Sequence, residues 1–306
     1  MSRFLWLIRR EVWEHKAIWV APAVVIGCLV LLVLTGNVHL GPIGSFDRSS
    51  PLGDMPAEIQ LRLLMIVYAG LALVVFMVMG VVAFFYSLDA LFADRRDRSV
   101  LFWKSMPLSD VETVLSKYAV ALLVIPLVAV AGAIIAQLVV AGGGAAKLSM
   151  AGMSAGFMFR PEAIFGGIFV ALLWCVTAIF WYAPVISYLM LASAWAPRGP
   201  FLWAVLPPVG LWILESVVMG SEYVGDFITE RLFGLYRLLG PSREMSVDVD
   251  VDDTQVGEEV AKLSQVDLVG NLREFYASPE LWLGVVAAAV LLAAAVWVRR
   301  YRDETS

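Results

Sequence analysis

Arg98, Leu101, Phe102, Trp103 and Lys104 lie in a short charged island, Asp94–Lys117, between two long apolar runs. Their chemistry is that of binding. Leu-Phe-Trp forms an apolar wedge, and Arg98 and Lys104 flank it with positive charge. In an exposed loop such a triplet seeks either lipid or a protein groove. Pro107 breaks the chain behind it. Ser109-x-x-Glu112 then has capping-box spacing: the serine oxygen accepts from the amide three residues on, and the glutamate reaches back. Asp110 adds negative charge in the first turn, where the helix dipole favours it. The pattern predicts a helix exit, an elbow carrying aromatics, and a capped re-entry through Val111, Val114, Leu115 and Tyr118. A plainer reading stands beside it, because an ordinary charged loop also carries a cap.

The N-terminal stretch MSRFLWLIRREVWEHK offers a second binding element. On a helical wheel Phe4, Leu5, Ile8 and Val12 share one face, and Arg3, Arg10 and Glu14 lie opposite. Trp6 and Trp13 form a second stripe. This suits an amphipathic helix in the membrane interface, with its Trp and Arg residues, Arg9 and Arg10 among them, as anchors and Glu14 on the polar side. The simpler alternative is a positively charged flank. The stretch reads as retained rather than as a cleaved signal. Glu11 and Glu14 interrupt its basic region, and Ala21-Pro22-Ala23 stands where a cleavage site would not fall.

Asp248, Asp250, Asp252 and Glu259 match the first, third, fifth and twelfth positions of a calcium loop. The sixth position, where glycine makes the turn, is Asp253. A solvated acidic loop is the expected reading, and no metal site is expected. His15 and His39 are far apart in sequence, and Cys28 and Cys175 lie in apolar runs as small hydrophobes. The chain contains no GxxxxGK[ST], HExxH or GxSxG motif, so no catalytic residue is assigned and an enzyme is not expected.

These elements are embedded in a chain of 306 residues that is 60% hydrophobic and 16% charged, with a mean hydropathy of +0.81. Soluble domains carry about 25% charged residues, so this composition calls for lipid as solvent. No basic–aromatic interleaving suggests nucleic acid. Six apolar runs are long enough to span: 17–35, 63–93, 118–140, 165–194, 201–219 and 281–298. Their unbroken apolarity predicts helices rather than barrel strands. The fold class is therefore an all-α polytopic membrane protein in one transmembrane domain, 1–306. It has an interfacial helix at 1–16, six spans, a cytoplasmic loop at 94–117 and an outer segment at 221–280. Pro207-Pro208 is expected to break the fifth span, and 141–162 is expected to be irregular. Residues 223–239 are expected to form an amphipathic helix, and Glu215 to sit at the interface or face the bundle. With both termini inside, more than half of the 22 basic residues crowd the short inner segments, which sets an N-in, C-in orientation.

The island DRRDRSVLFWKSMPLSDVETVLSK (Asp94–Lys117) and the stretch WYAPVISYLMLASAWAPRGPFLWAVLPP (Trp181–Pro208) resemble permease subunits of the bacterial ABC-2 type transporter family. The likeness extends over essentially the whole chain in topology. It implies a dimer with a second permease copy or paralogue in the inner membrane. Each half would engage a separate ATP-binding subunit that holds the ATP and Mg, leaving no cofactor in this chain. It also implies that Arg98–Ser109 supplies a coupling helix, with Leu101, Phe102, Trp103 and Lys104 as contacts. The N-terminal helix would be a second contact, and a substrate path would lie at the dimer interface near the second and fifth spans. The long acidic outer segment departs from better-known exporters of the family and leaves the cargo open. Two other readings remain: a membrane scaffold or sensor with an outer ligand-binding segment, and a secondary transporter, which needs titratable residues in mid-span and for which Glu215 is the one candidate.

Overall fold

In the computed structural model, residues 3–35, 57–97, 109–150, 152, 155–235 and 268–302 are described. Among them all regular structure is helical, and six helices are long and apolar enough to cross a membrane. In chain order they follow a short helix α1 (Arg3–Glu14) as α2 (Ala17–Thr35), α3 (Ala57–Arg96), α4 (Asp110–Met150), α5 (Pro161–Trp195) and α6 (Pro200–Val218). The shorter α7 (Tyr223–Phe233) and α8 (Leu268–Ala277) precede the last spanning helix, α9 (Pro279–Arg302). The architecture is that of a multi-pass membrane protein.

α5 is the hub and packs against α3, α4, α6, α7 and α9. The main core gathers Val75, Met79 and Leu91 of α3, Val114 and Ile125 of α4, Met190 of α5 and Ala295 of α9. Lipid dissolves leucine as well as a protein core does, so small residues rather than large ones mark the helix contacts. The buried face of α4 follows this rule with Ala129, Gly132, Ala133, Ala136, Ala141, Gly144 and Ala145. Leu123, Leu127 and Leu138 of the same helix point outward.

Three local features depart from the sequence reading. The glycine run 142–144 does not end the third span, because α4 continues to Met150. Gly143 meets Val33 of α2 so closely that a Cβ there would collide with the valine, so this glycine serves helix contact rather than chain termination. Residues 156–159 add a 3₁₀ turn to a stretch expected to be irregular. Pro207-Pro208 does not break α6 either. Pro208 cannot donate to the carbonyl of Ala204, and the hydroxyl of Tyr188 donates to that carbonyl instead at 2.9 Å.

α4 also widens to π geometry over Val120–Val124, where the Ile125 amide donates to the carbonyl of Val120. Pro126 follows immediately. Its ring clashes with the carbonyl four residues back in an α-helical ladder, and widening the turn relieves that contact.

Candidate functional site

Both termini reach the same end of the bundle, and there the structure buries a line of charges. Glu11 comes from α1, Asp94 from the end of α3, Lys117 from α4 and Arg299 from the end of α9, all less than a tenth exposed. The Lys117 ammonium lies 3.0 Å from Glu11 and 3.4 Å from Asp94. Arg299 reaches Asp94 at 2.9 Å through Nη1 and Asp110 at 3.3 Å through Nε. Arg10 closes the other end at 3.1 Å from Glu11. The order Arg10, Glu11, Lys117, Asp94, Arg299, Asp110 alternates in sign and sums to zero.

Removing a charge from water costs several kcal/mol, so each member needs its partners in place. Glu11 illustrates this. Besides Lys117 and Arg10 it accepts a hydrogen bond from the Tyr86 hydroxyl at 3.2 Å. His15, in edge-on contact with Tyr86 at 4.7 Å, bonds through Nδ1 to the Glu11 carbonyl at 3.1 Å. Helical spacing puts Glu11 beside Leu7 and Val12 on the buried side of α1, so α1 is fixed to the bundle by a carboxylate rather than by grease alone.

The arrangement brackets one segment. Asp94 and Asp110 stand on either side of residues 98–108, and one guanidinium, Arg299, holds both. A second junction lies nearby. The Ser193 hydroxyl of α5 accepts from the amides of Leu91 and Phe92 at 3.0 and 2.9 Å. In return Arg95 of α3 donates to the carbonyls of Ser193 and, at 3.0 Å, Ala196, capping the end of α5. The ends of α3, α4, α5 and α9 and the Glu11 side of α1 thus form one polar knot.

Ser109 and Glu112 make the full capping box. The Glu112 amide donates to Ser109 Oγ at 3.1 Å, and the Ser109 amide donates to the glutamate at 3.0 Å. Arg98, Leu101, Phe102, Trp103 and Lys104 lie outside the described residues, as does the acidic run Asp248–Glu259. Arg10 pairs with Glu14 at 3.0 Å as well as with Glu11, whereas Arg9 turns away from the bundle. α1 is amphipathic, but its faces differ from those on the wheel: Leu5 is half exposed, while Leu7, Glu11 and Val12 are buried. Along α4, Val111 and Leu115 face outward and Thr113, Ser116 and Lys117 face in, because lipid takes the apolar side.

At the opposite end Glu215 has a defined partner set. Its carboxylate accepts from the Ser221 hydroxyl at 2.7 Å and from the amides of Tyr223 and Val224 at 2.9 and 2.7 Å. It therefore caps the start of α7, where free amides and the helix dipole favour an anion. α7 is held down by Arg231, whose guanidinium stands 4.5 Å over the Trp181 ring and donates to the carbonyl of Glu280. Burial pulls this guanidinium below its usual range, with Glu280 and Glu230 opposing the shift. Among the described residues no group of His, Cys, Asp and Glu side chains could hold a metal ion, and Cys28 and Cys175 are free thiols.

The charge cluster was not foreseen from the sequence. Its directly paired members are up to 205 residues apart, and Lys117 and Arg299 read there only as positive flanks. One signal was available: Glu11 interrupts the apolar face of an otherwise amphipathic helix. The site's chemistry is mechanical. No group in it is placed as a nucleophile or a general base; its ion pairs join four helices, two of which flank residues 98–108 in the chain. No family model matches the chain, and neither a curated protein nor a solved structure matches it. Fold and site together define a six-span membrane protein with a buried ionic knot at its terminal end.

Proposed function

We propose that this chain is the membrane-spanning permease subunit of an ABC-2 type transporter. It moves a substrate across a bacterial inner membrane with ATP hydrolysed by a separate nucleotide-binding subunit. The observation that supports this reading best is Arg299 bridging Asp94 and Asp110 at the root of the 98–108 loop. A loop pushed by a partner ATPase does mechanical work on the spans only if its base is stiff and joined to other helices. The ion pairs supply that join to α9, and through Lys117 to α1. Both termini face the cytoplasm in this reading, which agrees with the crowding of Lys and Arg at their end of the bundle. The outward-facing apolar surface of α6, including Leu206, Leu211 and Leu214, leaves room for lipid and for a second permease copy.

Nothing favours the two other readings to the same degree. Glu215, the carboxylate that a secondary transporter could have used, is committed to capping α7.

The test is Phe102→Ala with Trp103→Ala in the intact membrane complex. The reading expects the double variant to insert normally and to lose the copurifying ATPase. Unchanged association would remove the docking role from these residues. Absence of any ATPase from the wild-type complex would remove the transporter reading itself.

A further inference from the structure

α1 has a second face with its own chemistry. Opposite Leu7 and Glu11, the helix presents Leu5, Trp6, Arg9 and Trp13, and Lys16 is exposed just beyond its end. Trp6 and Trp13 are 60% and 73% exposed. The Arg9 guanidinium sits between them, 5.7 Å from one ring centroid and 5.8 Å from the other. This follows from spacing, since residues three before and four after share a helix face. Among the described residues no carboxylate pairs with Arg9 or Lys16. Arg10, one step round the helix, is engaged by Glu11 and Glu14. The carboxylates of α1 are therefore spent away from this face, which carries Leu5, two indoles and a guanidinium.

The position of this face says what it meets. Only His15 and Lys16 separate α1 from α2, so the stripe lies where the first span enters hydrocarbon. Tryptophan concentrates at that headgroup level, with its ring in the apolar boundary and its N–H toward water. A guanidinium clamped between two such rings has lost part of its freedom and presents its donors to phosphate oxygens.

We propose that the Trp6–Arg9–Trp13–Lys16 stripe binds the headgroup phosphate of an anionic phospholipid in the adjoining leaflet. The charge selects the class. A zwitterionic headgroup brings its own cation to an already cationic surface, and an anionic one does not. Each Lys or Arg near an anionic surface strengthens binding about fivefold, so Arg9 and Lys16 together supply about 25-fold. Glu11 occupies the opposite face of the same turns, so a lipid on the outer face holds α1 against the ionic knot and stabilises the bundle.

The experiment titrates phosphatidylglycerol into the purified full-length chain in detergent and reads the thermal unfolding midpoint. Phosphatidylcholine and inorganic phosphate serve as separate arms. Wild type is expected to gain stability with phosphatidylglycerol only. The variant Arg9→Gln with Lys16→Gln is expected to need about 25-fold more of that lipid for the same gain. Its midpoint without lipid should stay at the wild-type value, because neither side chain packs in the bundle. The proposal is overturned by equal response of variant and wild type, by equal response to phosphatidylcholine, or by a response to inorganic phosphate alone. None of these outcomes depends on a partner ATPase, so the permease reading stands or falls separately.

Discussion

Lys117 and Glu11 meet at 3.0 Å with both side chains 3% exposed, and the pair ties the third span to the N-terminal helix beside the apolar packing of Val12. A pair this dry is held by its neighbours, since the desolvation of each charge offsets most of the attraction between them. Removing one member therefore costs more than the pair contributes.

Lys117→Met should destabilise the protein by about 3–5 kcal/mol, because Glu11 loses its nearest cation and Asp94 one of two. Reversible unfolding in mixed micelles measures it. Adding Glu11→Gln should restore at least half of the loss, since the second variant removes the stranded charge. A double variant as unstable as the sum of the singles would show that the two side chains act independently.

Arg95 and Ser193 exchange contacts between the ends of α3 and α5, so their variants should not add. Arg95→Ala and Ser193→Ala should each cost about 1–2 kcal/mol for the polar groups left open. The double variant should fall short of the sum by about 0.5 kcal/mol or more. Strict additivity in the same unfolding assay would separate the two junctions.

Glu215→Ala should loosen the start of α7 without disturbing the spans. The readout is hydrogen exchange at the Tyr223 and Val224 amides, expected to speed up about tenfold on loss of the cap. Glu215→Gln should fall between, because its amide oxygen still accepts. Unaltered exchange in the alanine variant would mean that the cap does not hold these amides.

Gly143→Ala should push α4 off α2 at Val33, at a cost of about 1–3 kcal/mol for the overpacked contact. Val33→Ala in the same chain makes the room that the new methyl needs and should recover most of the loss. Failure of that rescue would place the cost elsewhere, in helix α4 itself.

The sequence made some of this legible and hid the rest for physical reasons. Spanning helices follow from unbroken apolar length, and the Ser109–Glu112 box follows from local spacing, because both depend on residues close in the chain. The charge cluster depends on residues brought together only by tertiary packing. Asp94 and Arg299 have no local signature, and each looks like a helix-end flank. The faces of α1 and α4 misled for a different reason. In water apolar residues mark the inside, whereas next to lipid Leu115 can face out and Lys117 in. The glycines at 142–144 read as a break because glycine weakens helices in water, yet here close approach to Val33 gives Gly143 a packing role. Residues 98–108, with the Leu-Phe-Trp wedge, lie outside the described residues, and their role rests on the experiment above.

Arg299 is the last member of the ionic knot to leave the ribosome. Until the final span inserts, Glu11 and Asp94 share Lys117, Arg10 serves Glu11, and Asp110 lacks the guanidinium that engages it in the finished fold. A nascent chain that stops before α9 therefore leaves the knot with one negative charge in surplus, at Asp94 and Asp110, while the Glu11–Lys117 pair that seats α1 needs no residue of α9. Neutrality of the knot thus waits on the last of the spanning helices, so the final span completes the electrostatics of a site that the first helix begins.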